Sequence, residues 1–376
     1  MLIGIDLVWL VPNLGGGMDS HVRGLLGGLS KIDEENQYVL YTTRANHGSF
    51  EALPSNFKRV LLQGISTSLP SRLFGEQITL GWHLSRRPPD VLHSPGFTMP
   101  LLVSVPRVFT VHDLKVYALP SLYPTSRRIL RKYFVKEAIR RADAIISVSD
   151  FTRQDIVQRF GIPCDRISIV YNAVDNCLPV INGGWPELAN RLRIRSEYVV
   201  VFSAREDHKN VGALIRAYAR PGVAEHTQLV VVGHLPDGPT PLRELVASLR
   251  MEGRIVFTGY LSEKERNMVL AHARLLAFPS LYEGFGIVLL EAMASSIPIA
   301  CSGTTALPEV AGQAAVFFDP LSVDEIAAAV QRLLGDESLR RRLINAGRER
   351  AQGFSWTESA RKTLKVYKSV YNSSLV

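Results

Sequence analysis

The densest group of reactive residue types lies where a short apolar stretch runs into a glycine turn and then a helix. Glu283 precedes Gly284 and Gly286, and Glu291 follows within the helix that starts near Gly286. The first N–H groups of a helix lack partners within it and carry the positive end of its dipole, so this turn predicts a phosphate site. The two flanking carboxylates can accept hydrogen bonds from sugar hydroxyls. The structural alternative is a capped core helix with two solvated acids.

A second group follows the apolar run 198–203, where Arg205 and Lys209 lie four residues apart. At a turn between a strand and a helix, two such side chains can converge on one anion. Arginine also offers a planar fork that matches phosphate oxygens. We therefore predict a diphosphate-binding pair here, and the alternative is an ordinary charged loop.

Two further features follow predicted strands. His112 and Asp113 come directly after the run 106–111, where the carboxyl end of a strand places side chains for catalysis. A lone histidine is also a common structural residue, and both interpretations stay open. The Gly15-Gly16-Gly17 turn lacks the spacing of a dinucleotide fingerprint, but it lets the backbone approach a sugar or phosphate.

Several other chemistries lack their motifs. The sequence has no Asp-x-Asp and no close His/Cys cluster, so we predict no metal site and no cofactor. It also has no G-x-x-x-x-G-K-[ST] and no G-x-S-x-G, which argues against P-loop and α/β-hydrolase chemistry. A departing diphosphate would then be stabilised by Arg205, Lys209 and the helix near Gly286.

The elements that position these groups alternate between short apolar runs and helical periodicity, which is typical of βαβ units and parallel sheets. Residues 65–75 are predicted to form a loop, and capping boxes at Ser262 and Ser322 predict helix starts. The apolar runs predict strands at 2–8, 38–42, 58–62, 90–93, 106–111, 144–148 and 167–170, and then at 198–203, 228–233, 254–257, 274–278, 297–301 and 314–318.

The 376 residues suit two domains, and the Asn182-Gly183-Gly184 stretch marks a boundary between them. We predict a first domain at 1–175, a linker at 176–196 and a second domain at 197–355. Two successive doubly wound domains imply a cleft, with ligands at the carboxyl ends of the strands.

The charge of +8 and the pI of about 9.4 favour anionic partners. Arg128, Lys132, Lys136 and Arg140 recur every fourth residue, so a helix over 127–141 would align them on one face. We predict that this face docks against an anionic membrane surface or a lipid-diphosphate acceptor. The alternative is a face kept basic for solubility. Nucleic acid is not an expected partner, since no aromatic platform accompanies the charges.

Two observations bear on the compartment. The sequence contains no run of 18 or more apolar residues, so we predict no membrane-spanning helix. Three cysteines without a pairing pattern indicate a reducing environment. We predict a cytoplasmic protein that contacts the inner face of the membrane peripherally.

With these motifs, the sequence resembles glycosyltransferase family 4, a group of retaining enzymes with the GT-B fold of two Rossmann-like domains. One departure is Ala204, where the family usually has glycine before the diphosphate-binding arginine. The resemblance covers nearly the whole chain and is carried by Gly15-Gly16-Gly17, 110–114, 146–152, Arg205 with Lys209-Asn210, 259–262, the Glu283-to-Glu291 segment, 306–310 and 354–356.

The resemblance implies a role for each matching residue. Arg205 and Lys209 bind the donor diphosphate, Glu283 contacts the donor sugar, Glu291 contacts the ribose, and His112 sits by the donor sugar. The acceptor binds mainly to the first domain, and the helix at 356–376 returns to that domain. The remaining donor-binding positions are Gly16 and Gly17, the base-pocket residues Gly259 and Tyr260, and the turn and helix residues Gly284, Phe285, Gly286, Ile287, Val288 and Leu289.

The donor and the mechanism follow from the same resemblance. The His112-Asp113-Leu114 motif with the stretch 119–124 is similar to bacterial mannosyltransferases of O-antigen and exopolysaccharide assembly. This favours GDP-mannose over a UDP-hexose or a dTDP-deoxysugar. Both glutamates are assigned to binding, so a front-face reaction is favoured over a carboxylate nucleophile. The alternative functions are a nucleotide-sugar epimerase and a non-catalytic nucleotide-sugar-binding protein of the same architecture.

Overall fold

A computed structural model describes residues 1–12, 16–174, 183–202, 206–236 and 238–375. The chain divides into two compact units. The first unit comprises Met1–Ala173 together with Phe354–Val376, and the second comprises Val174–Gly353. Each unit has its own parallel sheet and its own hydrophobic core.

The first unit is built on seven strands and the helices that cover them. The strands are β1 (Leu2–Asp6), β2 (Gln37–Thr42), β3 (Phe57–Leu61), β4 (Val91–Ser94), β5 (Arg107–Val111), β6 (Ala144–Ser147) and β7 (Ile167–Ile169). The helices are α1 (Gly17–Ile32), α2 (Leu69–Phe74), α3 (Gly81–Arg86), α4 (Lys115–Ala118), α5 (Thr125–Arg141), α6 (Asp150–Phe160) and, at the end of the chain, α15 (Trp356–Ser374). Short 3-10 turns occupy His47–Phe50, Pro120–Leu122 and Cys164–Arg166.

The strand order in this sheet is β3-β2-β1-β4-β5-β6-β7, with parallel pairing throughout. The order reverses between β1 and β4, so the loops that follow these two strands open a crevice at the carboxyl edge of the sheet. Strands β4 and β5 are almost entirely buried, because helices cover both faces of a parallel sheet.

The last helix packs closely on the first. A Cβ added at Gly24 of α1 would lie 2.0 Å from Trp356, and one added at Gly28 would lie 2.3 Å from the Trp356 carbonyl oxygen. Only glycine allows this approach. The α15 side chains Ala360, Val366 and Tyr367 complete the core of the first unit.

One prediction for this unit is wrong. Residues 65–75 were expected to form a loop, but α2 lies within them and continues through a π-helical turn, Gly75–Leu80, into α3. Helix α2 has only 6 residues, fewer than two turns, so its apolar positions cannot establish a helical period. The sequence of 65–75 therefore shows no clean periodicity.

The second unit contains six strands and eight helices in the described residues. The strands are β8 (Tyr198–Phe202), β9 (Gln228–Val232), β10 (Ile255–Phe257), β11 (Leu275–Phe278), β12 (Ile299–Ser302) and β13 (Ala315–Phe318). The helices are α7 (Trp185–Leu192), α8 (Val211–Tyr218), α9 (Pro241–Ser248), α10 (Glu263–Ala271), α11 (Ile287–Ala294), α12 (Leu307–Ala311), α13 (Val323–Gly335) and α14 (Glu337–Gln352), and a 3-10 turn occupies Asp207–Lys209.

These strands pair in parallel in the order β10-β9-β8-β11-β12-β13. The order reverses between β8 and β11, which makes their carboxyl ends the expected ligand edge of this sheet. Strands β8, β9 and β11 are buried along their whole length, as their continuous apolar sequences predict. The prediction of two Rossmann-like, doubly wound domains is confirmed.

Two local predictions need correction. The segment 176–196 was predicted as a linker, but α7 forms within it; Leu188 is buried, and Trp185 stacks on His272 at 4.2 Å between ring centroids. The described residues start again at Gly183, so residues 176–182 of that linker fall outside them. Ser262 and Glu265 form a complete capping box, whereas Ser322 caps α13 without the return contact from Glu325.

Candidate functional site

The strand order of the second unit brings two predicted segments together. The loop after β8 carries Lys209, and the loop after β11 carries Glu283; β8 and β11 are neighbours in the sheet. The loops are joined directly, because the Leu281 N–H donates to the His208 carbonyl oxygen at 2.7 Å. The two separate sequence motifs therefore form one site at the edge where the strand order reverses.

At the centre of this site, Lys209 and Glu283 form an ion pair. The Lys209 Nζ donates to Glu283 Oε1 at 2.7 Å, and both side chains are mostly buried. The Lys209 ammonium also lies 4.9 Å from the centre of the Phe278 ring. Such a partly desolvated pair is held in one geometry, so it can orient an incoming ligand. Arg205, the other predicted diphosphate ligand, and Ala204 lie outside the described residues.

The glycine turn before α11 has the geometry expected of a phosphate site. Gly286 precedes the first residue of α11 with a φ of 88°, in the left-handed region. A Cβ there would also lie 2.6 Å from Leu307 Cδ2, so both conformation and space require glycine. The helix begins at Ile287 with no side-chain cap on its N-terminal N–H groups. Among the other predicted residues of this segment, Gly284, Phe285 and Leu289 are buried, whereas Ile287 and Val288 are half-buried.

Glu291, the predicted ribose ligand, is paired with a residue that the sequence analysis missed. The Arg266 guanidinium on α10 donates to a Glu291 carboxylate oxygen, and it lies 4.9 Å from the centre of the Phe202 ring. Glu291 is 8% exposed, and a carboxylate buried to this extent is costly without such a partner. No sequence signal marks Arg266, because a charged residue on a helix after a capping box is usually solvated.

Two more neighbours of Glu283 were missed. Buried His208 lies beside it, with Nε2 at 4.0 Å from Glu283 Oε1 and 3.8 Å from Glu206 Oε2. The Glu283 backbone N–H donates to Thr305 Oγ1 at 3.2 Å. His208 stands inside the motif that was assigned to the diphosphate, yet its residue type was not used. These contacts fix the backbone and the carboxylate of Glu283 together.

The predicted base-pocket residues lie at the carboxyl end of β10. Gly259 has a φ of 70° and accepts a backbone hydrogen bond from Gly233 at 3.3 Å. Tyr260 is 61% exposed and presents its ring to solvent. An exposed aromatic ring beside a left-handed glycine is a suitable surface for stacking a nucleotide base.

In the first unit, His112 stands at the carboxyl end of β5 in a defined tautomer. Its Nε2 lies 2.9 Å from the Pro95 carbonyl oxygen, which can only accept, so Nε2 carries the proton and Nδ1 the lone pair. Burial lowers the pKa of His112 to about 4, so the ring is neutral at physiological pH. The neighbouring Asp113 accepts a hydrogen bond from the Lys115 N–H at 2.9 Å and forms a loose ion pair with the same residue.

Two histidines that the sequence analysis missed support His112. The His21 ring meets the His112 ring edge to face, with centroids 4.7 Å apart, and His21 Nδ1 lies 2.6 Å from Asn172 Oδ1. His93 is held between Tyr367 Oη at 2.6 Å and Thr110 Oγ1 at 2.7 Å. Burial lowers the pKa of both His21 and His93 to about 3. The apolar runs around them gave no sign that these histidines would be neutral core residues.

The other predictions for the first unit concern glycines and the basic helix. Gly16 precedes α1 with a φ of 51° and Gly17 is its first residue, whereas Gly15 lies outside the described residues. The basic segment lies on α5. Lys136 and Arg140 are exposed, and Arg128 and Lys132 are half-exposed; within the described ranges none of the four forms an ion pair. Of the apolar residues on the same helix, Phe134 and Ile139 join the core, whereas Leu130 and Tyr133 remain exposed.

Comparisons with known proteins show the family to which the chain belongs. A model of the family described as Glycosyltransferase Family 4 matches residues 15–176, and a model described as Glycosyl transferases group 1 matches residues 187–350. The chain is 31% identical to O-antigen chain mannosyltransferase B of Escherichia coli over 76% of each chain. The chain is a GT-B glycosyltransferase of family 4.

Two further similarities support this assignment. The glycosyltransferase is 35% identical to MMP alpha-(1->4)-mannosyltransferase of Mycolicibacterium hassiacum, over 62% of its own length and 55% of that relative's length. Its structure superposes on sucrose-phosphate synthase from Thermosynechococcus elongatus with a TM-score of 0.79 at 20% identity, covering 99% of this chain and 100% of that one. The structural match shows the GT-B fold. The predictions of fold and of enzyme class are confirmed.

Among the described residues, no group of three or more His, Cys, Asp or Glu residues lies close enough together to hold a metal ion. In the same ranges, no helix is long and apolar enough to cross a membrane.

The buried histidines predict how the first unit responds to acid. His21, His93 and His112 have depressed pKa values when folded, so their contribution to stability is present above their unfolded pKa of about 6.5. It should be lost as the pH falls toward about 4. Each buried histidine adds about 1.4 kcal/mol per pH unit to this slope. Urea titrations at a series of pH values would measure it.

The variant for this test is His93→Gln. It should remove about one proton from the uptake that accompanies unfolding of the first unit, and so reduce the pH dependence of its unfolding free energy. The matched control is His226→Gln, at an exposed position in the second unit. An unchanged slope in His93→Gln would contradict a neutral, buried His93.

Proposed function

We propose that this glycosyltransferase moves mannose from GDP-mannose to a glycan or lipid-linked acceptor, with retention at the anomeric carbon and without a metal ion. The observation that carries the proposal is the Lys209–Glu283 ion pair beside the uncapped N-terminus of α11. It combines a cation and free N–H groups for a diphosphate with a carboxylate for a sugar hydroxyl. The choice of mannose is supported by the relatives from E. coli and M. hassiacum, both of which are named as mannosyltransferases.

In this proposal, each charge has a separate task. Lys209, with Arg205, stabilises the negative charge that develops on the diphosphate as the glycosidic bond breaks. Glu283 binds a donor sugar hydroxyl, and its pairing with Lys209 links sugar position to diphosphate position. Glu291 accepts hydrogen bonds from the ribose hydroxyls, while its ion pair with Arg266 orients the carboxylate. Tyr260 and Gly259 receive the base.

Retention is assigned to a front-face reaction. The acceptor hydroxyl attacks on the side from which the diphosphate leaves, and the departing phosphate oxygen takes its proton. Glu283 accepts a hydrogen bond from Lys209, and Glu291 accepts one from Arg266. These contacts support binding rather than nucleophilic roles for the two glutamates. The neutral His112 has its Nδ1 lone pair free of its contact with Pro95, so it can accept a hydrogen bond from a donor sugar hydroxyl.

The test is nucleotide diphosphate release over a panel of GDP-mannose, UDP-glucose, UDP-galactose and dTDP-rhamnose, with and without alkyl mannosides as acceptors. The proposal predicts acceptor-dependent release from GDP-mannose above all others. Interconversion of the sugars without acceptor would indicate an epimerase, and tight binding without release would indicate a binding protein. Preference for a UDP-sugar would overturn the donor assignment alone.

Independence from metal gives a separate prediction. Turnover should persist in excess EDTA, because protein cations and the N-terminus of α11 neutralise the leaving diphosphate. The comparison is the same assay after dialysis against chelator, with and without added magnesium or manganese. Loss of turnover that either ion restores would contradict this part of the proposal.

We also propose that the basic face of α5 holds the enzyme reversibly at an anionic bilayer. Arg128, Lys132, Lys136 and Arg140 lack ion pairs among the described residues, and each basic residue near an anionic surface contributes about 1 kcal/mol. Wild type should sediment with phosphatidylglycerol vesicles but not with phosphatidylcholine vesicles, and a variant with all four residues changed to glutamine should not sediment. Equal sedimentation of both proteins would leave only the role in solubility.

A further inference from the structure

A pocket lies entirely within the first unit, at the point where its strand order reverses. Trp9 follows β1, and Phe97 and Thr98 follow β4, and these residues line it together with side chains from α2 and α5. We call this the β1/β4 pocket. The carboxyl edge at a reversal of strand order is where doubly wound sheets bind ligands. Among the described residues, none of those assigned to donor binding lines it.

The walls of the β1/β4 pocket are largely apolar. Side chains of α2 and α5 supply most of them: Leu69, Leu73, Leu130, Phe134 and Val135. Burying an apolar group against such a wall is favourable by about 25 cal/mol for each Å² of apolar surface removed from water. It offers few hydrogen-bonding groups to the hydroxyls of a neutral sugar.

Two arginines, Arg72 and Arg131, also line this apolar pocket, and few polar groups contact their guanidinium charges. Arg72 donates one hydrogen bond to the Trp9 carbonyl oxygen, while its Nε is buried without a partner among the described residues. Arg131 lies over two aromatic rings, 4.9 Å from the centre of Phe97 and 5.3 Å from that of Tyr123. In the described ranges neither guanidinium forms an ion pair with a carboxylate. Burial and the charge of Arg131 lower the pKa of Arg72.

The acidic groups nearest to the arginines are already engaged. Glu76 is buried, accepts a hydrogen bond from Thr98 Oγ1 at 2.7 Å, and shares a hydrogen bond with buried Asp6. Burial raises the pKa of Asp6 to about 6 and that of Glu76 well above its usual range, so this pair retains a proton near neutral pH. Asp113 pairs with Lys115. The pocket therefore has an excess of positive charge.

We propose that the β1/β4 pocket binds a phosphate group carried on an apolar chain, with Arg72 and Arg131 contacting the phosphate oxygens. This rests on the proposed function, because the ligand would be the lipid phosphate that bears the acceptor sugar. Half-buried guanidinium groups that form no ion pair among the described residues are costly in an apolar pocket, and a phosphate offers each of them paired hydrogen bonds. The apolar walls then receive the first part of the chain.

The outer surface of the same helical segments supports a ligand carried by a membrane. Phe74, Ile78 and Trp82 recur every fourth residue from α2 to α3 and are 64%, 54% and 57% exposed. On α5, Ile129 and Tyr133 are also more than half exposed. Exposed apolar side chains next to basic ones are typical of surfaces that lie in the interface of a bilayer.

The test is isothermal titration of three probes: decyl phosphate below its critical micelle concentration, decyl maltoside and mannose 1-phosphate. Decyl phosphate should bind at least tenfold more tightly than either of the others, because only it carries both parts. Arg131→Gln should weaken its binding at least tenfold, and Arg72→Gln should do the same. Arg131 makes no hydrogen bond among the described residues, so its variant should fold normally, which a thermal melt checks. The matched control is Arg87→Gln, at an exposed position after α3.

Equal binding of decyl phosphate by wild type and Arg131→Gln would overturn the site. Equal binding of mannose 1-phosphate and decyl phosphate would overturn the apolar chain and indicate a soluble sugar phosphate. GDP-mannose titrated into the same proteins keeps the two proposals apart. If GDP-mannose binds and decyl phosphate does not, the pocket assignment fails alone; if GDP-mannose fails to bind wild type, the proposed function fails.

Discussion

Lys209→Ala should lower kcat by about 10²–10³ with the protein still folded, which is the scale for removing one preorganised electrostatic contact in an active site. Lys209 lies in the short turn Asp207–Lys209, outside the strands and longer helices that build the core, so we expect the fold to survive its loss. The loss should appear mainly in kcat, because the charge on the diphosphate grows as the bond to the sugar breaks. Steady-state kinetics with GDP-mannose and acceptor would measure it.

A matched control is Lys264→Ala, which removes an exposed lysine from α10 in the same unit. It should retain the turnover of wild type. Near-normal kcat in Lys209→Ala, with Lys264→Ala also normal, would contradict the assignment of Lys209 to the leaving diphosphate.

Glu283→Gln should lower kcat/KM by about 10², because it removes a charged acceptor from the sugar site and leaves Lys209 without its partner. The substitution keeps the side-chain shape, and the backbone contact with Thr305 Oγ1 is unaffected. Glutamine can still bind a hydroxyl, so we expect partial rather than complete loss. The measurement is kcat/KM for GDP-mannose.

Because Lys209 and Glu283 contact each other, their effects should not add. The double variant should lose less activity than the product of the two single losses, since the second change breaks a pair that the first has already broken. Glu309→Gln, on α12 of the same unit, is the comparison substitution. Strictly multiplicative losses would mean that the two residues act independently.

The fold was predictable because parallel strands that are covered on both faces have short, continuously apolar sequences. Runs such as Tyr198–Phe202 and Leu275–Phe278 are apolar throughout and end at turns rich in charge and glycine. The α2–α3 segment was missed for an equally physical reason. Helices α2 and α3 have 6 residues each, too few to establish a helical period, and the apolar residues of the segment divide between the β1/β4 pocket and solvent.

The candidate site was predictable only where residue type and element boundary coincide. Lys209, Glu283 and Gly286 all lie at the carboxyl ends of strands, and the sheet order brings them together. Arg266 and His208 were missed because their importance comes from contacts between elements distant in sequence. Neither spacing nor composition records such a contact.

The same limit applies to the first unit. Arg72 occurs in the stretch 65–75 that was assigned to a loop, and Glu76 directly follows that stretch, so no predicted element was available to place either residue. Asp6 interrupts an apolar strand, which could have marked it as a buried acid, but its partner is 70 residues away in the sequence. Burial and pairing had to be seen before either could be interpreted.

The central claim is transfer of mannose from GDP-mannose to an acceptor, and mass spectrometry of the acceptor tests it most directly. Purified enzyme is incubated with isotopically labelled GDP-mannose and a synthetic decyl-diphosphate-linked mannose, alongside Lys209→Ala. We predict that wild type adds one labelled hexose to the acceptor with equal release of GDP, and that Lys209→Ala forms far less of the same product. Consumption of GDP-mannose with no labelled acceptor over a panel of mannosides and lipid-linked sugars would contradict the account.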